Sequence, residues 1–336
     1  MKEHDIHMHF IIISSNFSGQ RIDNFLNTYF KVVPKSMIYR IIRTGAIRIN
    51  KKRINFQYKL KIGDILRIPP VRRIHSNRFD IKYMKEISFL QNVIIYEDDY
   101  LLVLNKPTGI AVHGGSGLKF GIIEGLRALR PKDQFLELVH RLDRETSGVL
   151  LVAKKRTALV FLHEQLRVKN IKKEYLALVH GKWDVNVKII SEPLLKKTIL
   201  FNNKIVYKST EKEKLSTTHF KIKEQFERIA TLLVIKPITG RTHQIRKHTK
   251  YSNHPIVGDR IYGDYKSNIQ FKQFGFNRLF LHASMLCFMH PSTRKNFCIY
   301  APLDQLFYDC LFFLRKLIMT NSNCSLENIV KNTNNN

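Results

Sequence analysis

A ten-residue segment of this 336-residue chain concentrates side chains that can do chemistry. Residues 139–148 read VHRLDRETSG, with one histidine, two arginines and two acids just ahead of an apolar run that predicts a buried strand. An acid fixed beside a core is held rigidly, and neighbouring arginines lower its pKa. Asp143 can therefore act as a nucleophile or a base, or it can form a structural ion pair in a turn.

A second segment places basic groups at the start of a helix. Residues 239–248 read TGRTHQIRKH, so a glycine turn leads into a helix N-terminus whose free N–H groups favour an anion. Arg241 and Arg246 can hold phosphates or pair with a carboxylate. His243 and His248 are five residues apart, not the three or four of a helical zinc pair, and no acid lies between them. We therefore predict no metal site.

The elements around both segments predict an α+β domain over residues 93–319. Strands outnumber helices, and short turns join several neighbours, which predicts a mixed, largely antiparallel sheet. Residues 184–215 carry no clear signal, and we expect the Asn-rich tail, 320–336, to be disordered. The predicted strands are 100–104, 149–153, 175–179, 218–225, 231–235, 279–288 and 297–300, and the predicted helices are 120–129, 157–168, 242–251 and 304–319.

Residues 20–70 predict a separate, small N-terminal unit. Apolar residues recur there at the spacing of two successive helix faces, which Pro34 separates. We assign residues 1–19 to an irregular lead-in and residues 71–92 to a linker. The predicted elements of the unit are helices near 22–29 and 36–45 and strands at 46–50 and 65–68.

The chain carries 57 Lys and Arg against 27 Asp and Glu, a formal net charge of +30. Such an excess indicates a polyanionic partner, above all nucleic acid, although compositional drift towards lysine is the alternative. The distribution favours nucleic acid, because Asp23 is the single acid between Arg21 and Arg53, whereas a solvated surface normally mixes both signs. We predict phosphate contacts from Lys35, Arg40, Arg43, Lys51, Lys52 and Arg53.

Several classes of protein are excluded by what the sequence lacks. No apolar run reaches the length of a membrane span, and the N-terminus does not read as a secretory signal. Four cysteines without a CxxC pair argue against a disulfide framework or a zinc module and suit a reducing compartment. There is neither a dinucleotide fingerprint nor a Walker loop. We expect a cytoplasmic protein without a cofactor, and we favour a monomer although the sequence leaves the oligomeric state open.

Four motifs together resemble those of the RluA-type pseudouridine synthases. They are NKPTGIAVHGG, HRLDRETSGVLLVAKK, KKEYLALVHG and PITGRTHQIRKH, and their order also matches the family. Residues 20–70 resemble the S4 RNA-binding domain, a module of two helices and a small sheet. The resemblance implies an RNA pseudouridine synthase that isomerises specific uridines of large-subunit (23S) ribosomal RNA and needs no cofactor.

The resemblance also implies roles for individual residues. Asp143 would be the essential aspartate, and Arg246 would be the arginine that pairs with it. Tyr175 would pack on the base and move a proton, while Ile245 would form the apolar floor under the uracil. Arg141 would help to fill the space that the flipped uridine leaves in the RNA stack.

Isomerisation of uridine needs groups of this kind and nothing more. The bond from ribose C1′ to N1 breaks, the base turns, and C5 joins C1′, after the base has left its stack at a cost of roughly a few kcal/mol. Asp143 can attack C1′, add to the uracil ring or remove a ribose proton, and the sequence selects neither a route nor the target uridines. The alternatives are a non-enzymatic ribosome-binding or assembly factor, which has no need of the Asp143, Tyr175 and Arg246 set, and a hydrolase, for which Asp143 lacks an acid partner.

Overall fold

The computed structural model describes residues 8–30, 35–70, 87–114, 121–133, 135–193, 197–201, 204–207 and 215–333. The chain divides into two compact units, the first formed mainly by residues up to Phe89 and the second mainly by residues from Leu90 onward. Most of the expected linker, residues 71–86, lies outside the described residues. None of the helices in the described part of the chain has the length and apolarity of a membrane span.

The first unit packs two helices on a three-stranded antiparallel sheet. Its elements are β1 (His9–Ile12), α1 (Ile22–Phe30), α2 (Lys35–Arg43), β2 (Arg48–Ile49) and β3 (Ile65–Ile68), with β3 in the middle of the sheet. Helix α1 buries one face into the core, as its spacing predicts. Gly45 follows α2 with φ +74°, and a β-carbon there would lie 2.7 Å from the Arg53 side chain, so this turn requires glycine.

Two sequence expectations for the first unit are wrong. Residues 9–12 were assigned to a lead-in, but they form β1, which pairs with β3 from His9 opposite Ile68 to Ile12 opposite Ile65. A four-residue edge strand is too short to be recognised without its partner. The strand predicted over 46–50 shortens to β2, because Asn50 adopts a left-handed φ of 50° and Lys51 one of 66°.

The second unit is built on a ten-stranded sheet. Its strands are β4 (Ile94–Glu97), β5 (Leu101–Lys106), β6 (Glu137–Leu138), β7 (Ser147–Ala153), β8 (Lys172–His180), β9 (Ile189–Pro193), β12 (Leu215–Phe226), β13 (Ala230–Pro237), β14 (Leu281–Met289) and β15 (Asn296–Tyr300), while β10 (Lys197–Phe201) and β11 (Lys204–Tyr207) form a separate hairpin. The main order is β4–β5–β7–β14–β8–β13–β12–β9, with β6 on β7 and β15 on β14. Only β7 and β14 pair in parallel among the described strands. The expected α+β class with a mixed, largely antiparallel sheet is confirmed.

Five helices accompany this sheet in the described residues. They are α3 (Ile122–Leu129), α4 (Arg156–Arg167), α5 (Gln244–Tyr251), α6 (Tyr265–Gln273) and α7 (Gln305–Thr333). Helix α6 and the strands within residues 184–215 had no recognisable sequence signal. Helix α7 continues through most of the tail that we expected to be disordered, because a helix that is already nucleated extends at little further cost.

The sheet places the segment that carries Asp143 near the strand that carries Tyr175. In the parallel pair β7–β14, Gly148 lies opposite Ala283, and in the neighbouring pair β14–β8, Tyr175 lies opposite the same Ala283. Gly148 has φ +110°, and a β-carbon there would lie 2.2 Å from the Ala283 carbonyl oxygen, so this close approach requires glycine. The segment that carries Asp143, just before β7, is therefore separated only by β14 from the strand that carries Tyr175.

The cysteines differ from expectation at one place. Cys287 on β14 lies opposite Cys298 on β15, and the two form a disulfide with 4.1 Å between their Cα atoms. Cys310 is free and buried. The register of the β14–β15 hairpin places the two cysteines opposite each other. Because they are 11 residues apart, they form no motif from which the disulfide could be predicted.

Candidate active site

The Asp143 loop is held by the turn that follows β5. Lys106 is fully buried, and its ammonium donates to the carbonyl oxygens of Pro107 (2.8 Å), Ile110 (2.9 Å) and Arg144 (3.0 Å). Burial lowers the pKa of Lys106 to about 7. Because one of its three acceptors belongs to the residue after Asp143, Lys106 ties the NKPTG turn to the Asp143 loop.

Further hydrogen bonds join the same two segments. The Thr108 hydroxyl donates to the Glu145 carbonyl (2.7 Å), the Gly109 N–H donates to the Arg144 carbonyl (3.0 Å), and the Arg144 guanidinium donates back to Gly109 (2.9 Å). Sequence reasoning used the NKPTG stretch only as part of a family motif and gave Lys106 no role. The signal it passed over is a lysine at the end of the apolar strand LLVLNK, where a buried charge needs several partners.

The Asp143 carboxylate faces two basic side chains from the TGRTHQIRKH segment. Its Oδ2 lies 4.0 Å from an Arg246 terminal nitrogen and 3.7 Å from His243 Nε2, and its side chain is 23% exposed. The predicted approach of Arg246 to Asp143 is therefore present at the outer limit of an ion pair. Both contacts place a basic side chain beside the carboxylate.

Arg246 forms its strongest contacts with a residue that the sequence did not reveal. Its guanidinium is buried and binds Asp259 through two hydrogen bonds of 2.7 Å, while it lies over the Tyr262 ring at 5.2 Å. Burial alone would raise the pKa of Asp259, but the hydrogen bonds from Arg246 and from two backbone N–H groups lower it overall. Asp259 thus fixes the guanidinium in position before any substrate binds.

His243 occupies a strained position at the start of α5. It adopts φ +54°, and its Nδ1 lies 3.1 Å from the Tyr262 hydroxyl while Nε2 faces Asp143. Burial, chiefly, lowers the pKa of His243 below its ordinary value. Sequence reasoning weighed His243 only as a metal ligand and gave it no role. Its signal is the motif itself, because it places a histidine three residues before Arg246 at the start of the predicted helix.

The loop before α5 is ordered by a side chain of the helix. Gln244 Oε1 accepts hydrogen bonds from the Arg241 N–H (3.0 Å) and the Thr239 hydroxyl (2.7 Å), and its Nε2 donates to the Thr218 hydroxyl (2.8 Å) on β12. This bonding orders the turn that precedes a helix whose N-cap residue offers no side-chain cap. It also fixes Arg241 at the edge of the site.

Tyr175 lies on β8 between Ile235 and Ala283 of the neighbouring strands. Burial, and then the charge of Asp143, raise the pKa of Tyr175 above its ordinary value. The side chain is therefore a phenol at neutral pH, suited to donate a hydrogen bond and to contact a base. As a free phenolate base it would be poorly populated.

One cavity of about 410 Å³ receives these groups. The cavity is lined by all five site residues that were predicted within the second unit: Arg141, Asp143, Tyr175, Ile245 and Arg246. Arg141 is exposed and Ile245 is buried, which suits a rim and a floor respectively. The cavity volume falls in the range of roughly 300–1,000 Å³ typical of small-molecule sites.

Other predicted residues lie away from this cavity or outside description. Five of the six residues predicted to contact phosphate are exposed on the first unit: Arg40, Arg43, Lys51, Lys52 and Arg53. The side chain of the sixth, Lys35, lies outside the described residues. His248 is buried, with Nδ1 2.9 Å from the Thr218 hydroxyl, and no three metal-ligating side chains cluster anywhere in the described residues.

Comparison with known proteins supplies the family. The model of the RNA pseudouridylate synthase family matches residues 100–251, and that of the S4 domain matches residues 20–66. Ribosomal large subunit pseudouridine synthase C of Escherichia coli strain K12 is 55% identical over 308 residues, which are 91% of this chain and 96% of that protein. This chain belongs to the RNA pseudouridine synthase family.

Other relatives agree with that assignment. The protein of the same name from Yersinia pestis is 54% identical over 317 residues, covering 94% of this chain and 98% of its own length. The structure of human RNA Pseudouridylate Synthase Domain Containing 4 superposes with a TM-score of 0.56 at 25% identity, over 69% of this chain and 96% of that one. The resemblance read from the four motifs and the S4 unit is thereby confirmed, and the chain is an RNA pseudouridine synthase.

Proposed function

We propose that this pseudouridine synthase isomerises specific uridines of large-subunit (23S) ribosomal RNA, with the target uridine flipped into the cavity and Asp143 as the essential aspartate. The curated relatives are named for the ribosomal large subunit, which supports this substrate. The observation that carries the proposal is one carboxylate, Asp143, facing Arg246 at 4.0 Å and His243 at 3.7 Å in a cavity that Tyr175 also lines.

Each chemical route open to Asp143 requires its anion. Arg246 supplies a positive charge that cannot swing away, because Asp259 binds it through two hydrogen bonds. We assign the Nε2–H tautomer to His243, since the Tyr262 hydroxyl can donate to Nδ1 and the Asp143 carboxylate can only accept. His243 and Arg246 then orient the carboxylate before the uridine arrives.

Extrusion of the uridine needs compensation for lost stacking, roughly a few kcal/mol. The exposed guanidinium of Arg141 at the cavity rim is placed to fill the gap in the RNA. Arg241 and Lys173 also line the cavity, and the Lys173 ammonium forms no hydrogen bond or ion pair with another described residue. Burial lowers the pKa of Lys173, so a phosphate that reaches it relieves an uncompensated charge.

Isomerisation moves one proton overall, because C5 loses a proton and N1 gains one. Tyr175 is a phenol at neutral pH, since its pKa is raised. We therefore propose that Tyr175 contacts the base and holds the water that removes the C5 proton, rather than acting as a phenolate. Ile245 beneath the base keeps bulk water from the broken glycosidic bond.

The setting of the enzyme is part of the same proposal. Ribosomal RNA is met in the cytoplasm, so we expect the protein there. We also propose that it acts as a monomer, as expected from the sequence.

The test is a map of pseudouridines in large-subunit ribosomal RNA from cells with the wild-type gene, without it, and with Asp143→Asn. We expect specific pseudouridines that are present with the wild type and absent in the other two strains. Persistence of every pseudouridine without the chain would exclude this substrate. Full modification by Asp143→Asn would show that the aspartate is not essential.

A further inference from the structure

An open groove in the first unit joins aromatic and basic side chains. It has a volume of about 430 Å³ and lies between α2 and the segment that follows β2. Its walls include Tyr39, Arg40 and Arg43 from α2 and Ile54 and Phe56 from the later segment. We call this feature the aromatic groove.

The two rings of the aromatic groove are exposed although they touch each other. Tyr39 is 42% exposed and Phe56 is 41% exposed, and their ring centroids lie 5.5 Å apart at an interplanar angle of 81°. A planar group that lies flat on one ring meets the other ring at a right angle. The pair therefore offers a corner for a flat ligand.

The geometry of the corner is fixed by a buried acid. The Tyr39 hydroxyl donates to Asp23 Oδ2 at 3.2 Å, and Arg21 binds the same carboxylate through hydrogen bonds of 3.1 and 2.7 Å. The Arg21 guanidinium also lies 5.7 Å from the centre of the Phe56 ring. Both rings are thus held in place before a ligand binds, which reduces the entropy lost on binding.

Two cations beside the rings are left without partners. Arg40 and Arg43 are exposed, and neither side chain forms a hydrogen bond or ion pair with another described residue. Arg21, by contrast, is already neutralised by Asp23. The aromatic groove therefore presents open π-faces and uncompensated positive charge within one small surface.

An unpaired nucleotide has the matching chemistry. Its base has a free π-face, whereas the bases of a duplex are stacked on both sides, and its flanking phosphates are anionic. A duplex contacts the same arginines through its backbone but cannot place a base on a ring. A protein ligand would need an acidic and an aromatic group in the same arrangement. Every nucleotide carries both, as its phosphate and its base.

We propose that the aromatic groove binds an unpaired nucleotide of RNA, with its base stacked on Tyr39 or Phe56 and its phosphates on Arg40 and Arg43. The proposal rests on the proposed function only in that the ligand is RNA. It gives the S4 unit a preference for single-stranded or looped segments, beyond general attraction to phosphate. Sequence is not read there, because every base has a π-face.

The test compares the full-length wild type with Phe56→Ala, using a single-stranded RNA oligonucleotide and a blunt duplex of the same length. Loss of one stacked base should weaken single-strand binding by about 5- to 150-fold, since each stacked base contributes about 1–3 kcal/mol. Duplex affinity and the salt dependence of binding should change little. Phe56→Trp should restore single-strand binding, because it restores a ring.

Phe10→Ala is the matched control, because Phe10 is a 59% exposed aromatic residue on β1 of the same unit and does not line the groove. It should bind both RNAs as the wild type does. The proposal is overturned if Phe56→Ala binds the single strand with wild-type affinity, or if it weakens single-strand and duplex binding equally. Wild-type duplex binding by Phe56→Ala shows that the unit still folds in that variant.

The outcome is separable from that of the proposed function. The binding test needs no catalysis and can be repeated with Asp143→Asn, which should show the same dependence on Phe56. A protein that forms no pseudouridine in ribosomal RNA but requires Phe56 for single strands would refute the function and keep the groove. A protein that forms pseudouridine in ribosomal RNA but binds single strands equally well without Phe56 would keep the function and refute the groove.

Discussion

Charged side chains are arranged in opposite ways in the two units of the molecule. Around the cavity of the second unit, buried Arg246 is bound by Asp259, and buried Lys106 donates to three carbonyl oxygens. On α2 of the first unit, Arg40 and Arg43 are exposed and have no partner among the described residues. Charge fixed in advance suits the stabilisation of a reacting group, whereas free charge suits contact with phosphate.

The largest effect should come from removing the acid that fixes Arg246. Asp259→Ala leaves a buried guanidinium without its main partner, which should cost about 3–5 kcal/mol of unfolding free energy. Isomerisation should also fail, because Arg246 is then free to leave Asp143. Denaturant unfolding and a product assay at low temperature would measure the two losses.

Glu224→Ala is the matched control for that variant. The Glu224–Arg315 pair is also bidentate, but its side chains are 31% and 45% exposed, so its removal should cost no more than about 1 kcal/mol. Equal destabilisation by the two variants would contradict the distinction between fixed buried charge and ordinary surface charge.

Lys106 should link stability to pH. Burial lowers its pKa from 10.5 to about 7, so between these values the unfolded chain binds more protons than the folded chain. The free energy of unfolding of the wild type should therefore rise with pH across this window relative to Lys106→Met, and the two curves should run parallel below it. At pH 7, Lys106→Met should lose on the order of 2 kcal/mol, because it leaves three carbonyl oxygens without a donor.

Chemical denaturation of both proteins at several pH values checks this prediction. Lys154→Met serves as the control, because Lys154 forms a single ion pair with Glu97 and holds no loop carbonyls. Parallel curves for wild type and Lys106→Met from pH 7 to 10 would show that Lys106 does not titrate there.

Tyr175→Phe tests whether the phenol acts through water. A direct general base contributes about 10²–10⁴-fold, so a phenol that only holds the base and a water should cost less than about 100-fold in rate. Single-turnover rates against pH would measure this, with RNA affinity as the control for binding. If the wild-type rate rises with pH through an inflection below pH 10, and the Tyr175→Phe rate lacks that inflection, Tyr175 acts as a phenolate base instead.

The smallest effect should come from the free cations. Arg40→Ala combined with Arg43→Ala should weaken RNA binding mainly at low salt and reduce the slope of log affinity against log salt by about two. The isomerisation rate at saturating RNA should stay at the wild-type value. An unchanged slope would mean that these arginines do not contact phosphate.

The sequence predicted residues that line the cavity but not the residues that hold them. Asp143, Tyr175, Ile245 and Arg246 lie in contiguous motifs, so the resemblance of those motifs to a known family was enough to single them out. Asp259 follows Arg246 by 13 residues in an irregular segment, and its contact arises only when the chain folds back on α5. Long-range partners of this kind leave no periodic pattern.

The fold shows the same division. Strands with strong apolar patterns, such as β7 and β13, were placed within a few residues of their observed ends. The edge strand β1 was missed because it is short and its partner β3 is distant in sequence. The strands between residues 184 and 215 were missed because that stretch has no clear apolar pattern. Lys106 was missed as well, since a single lysine at the end of a strand does not show by itself that it will be buried.

The central claim is that an ionised Asp143 does the chemistry while RNA binding depends on other residues. The most direct measurement combines purified wild type or Asp143→Asn with an RNA fragment that contains a mapped target uridine, and records both pseudouridine formed in a single turnover and RNA affinity. We predict no product from Asp143→Asn with affinity close to that of the wild type. Product formed at a wild-type rate, or affinity lost together with product, would contradict the account.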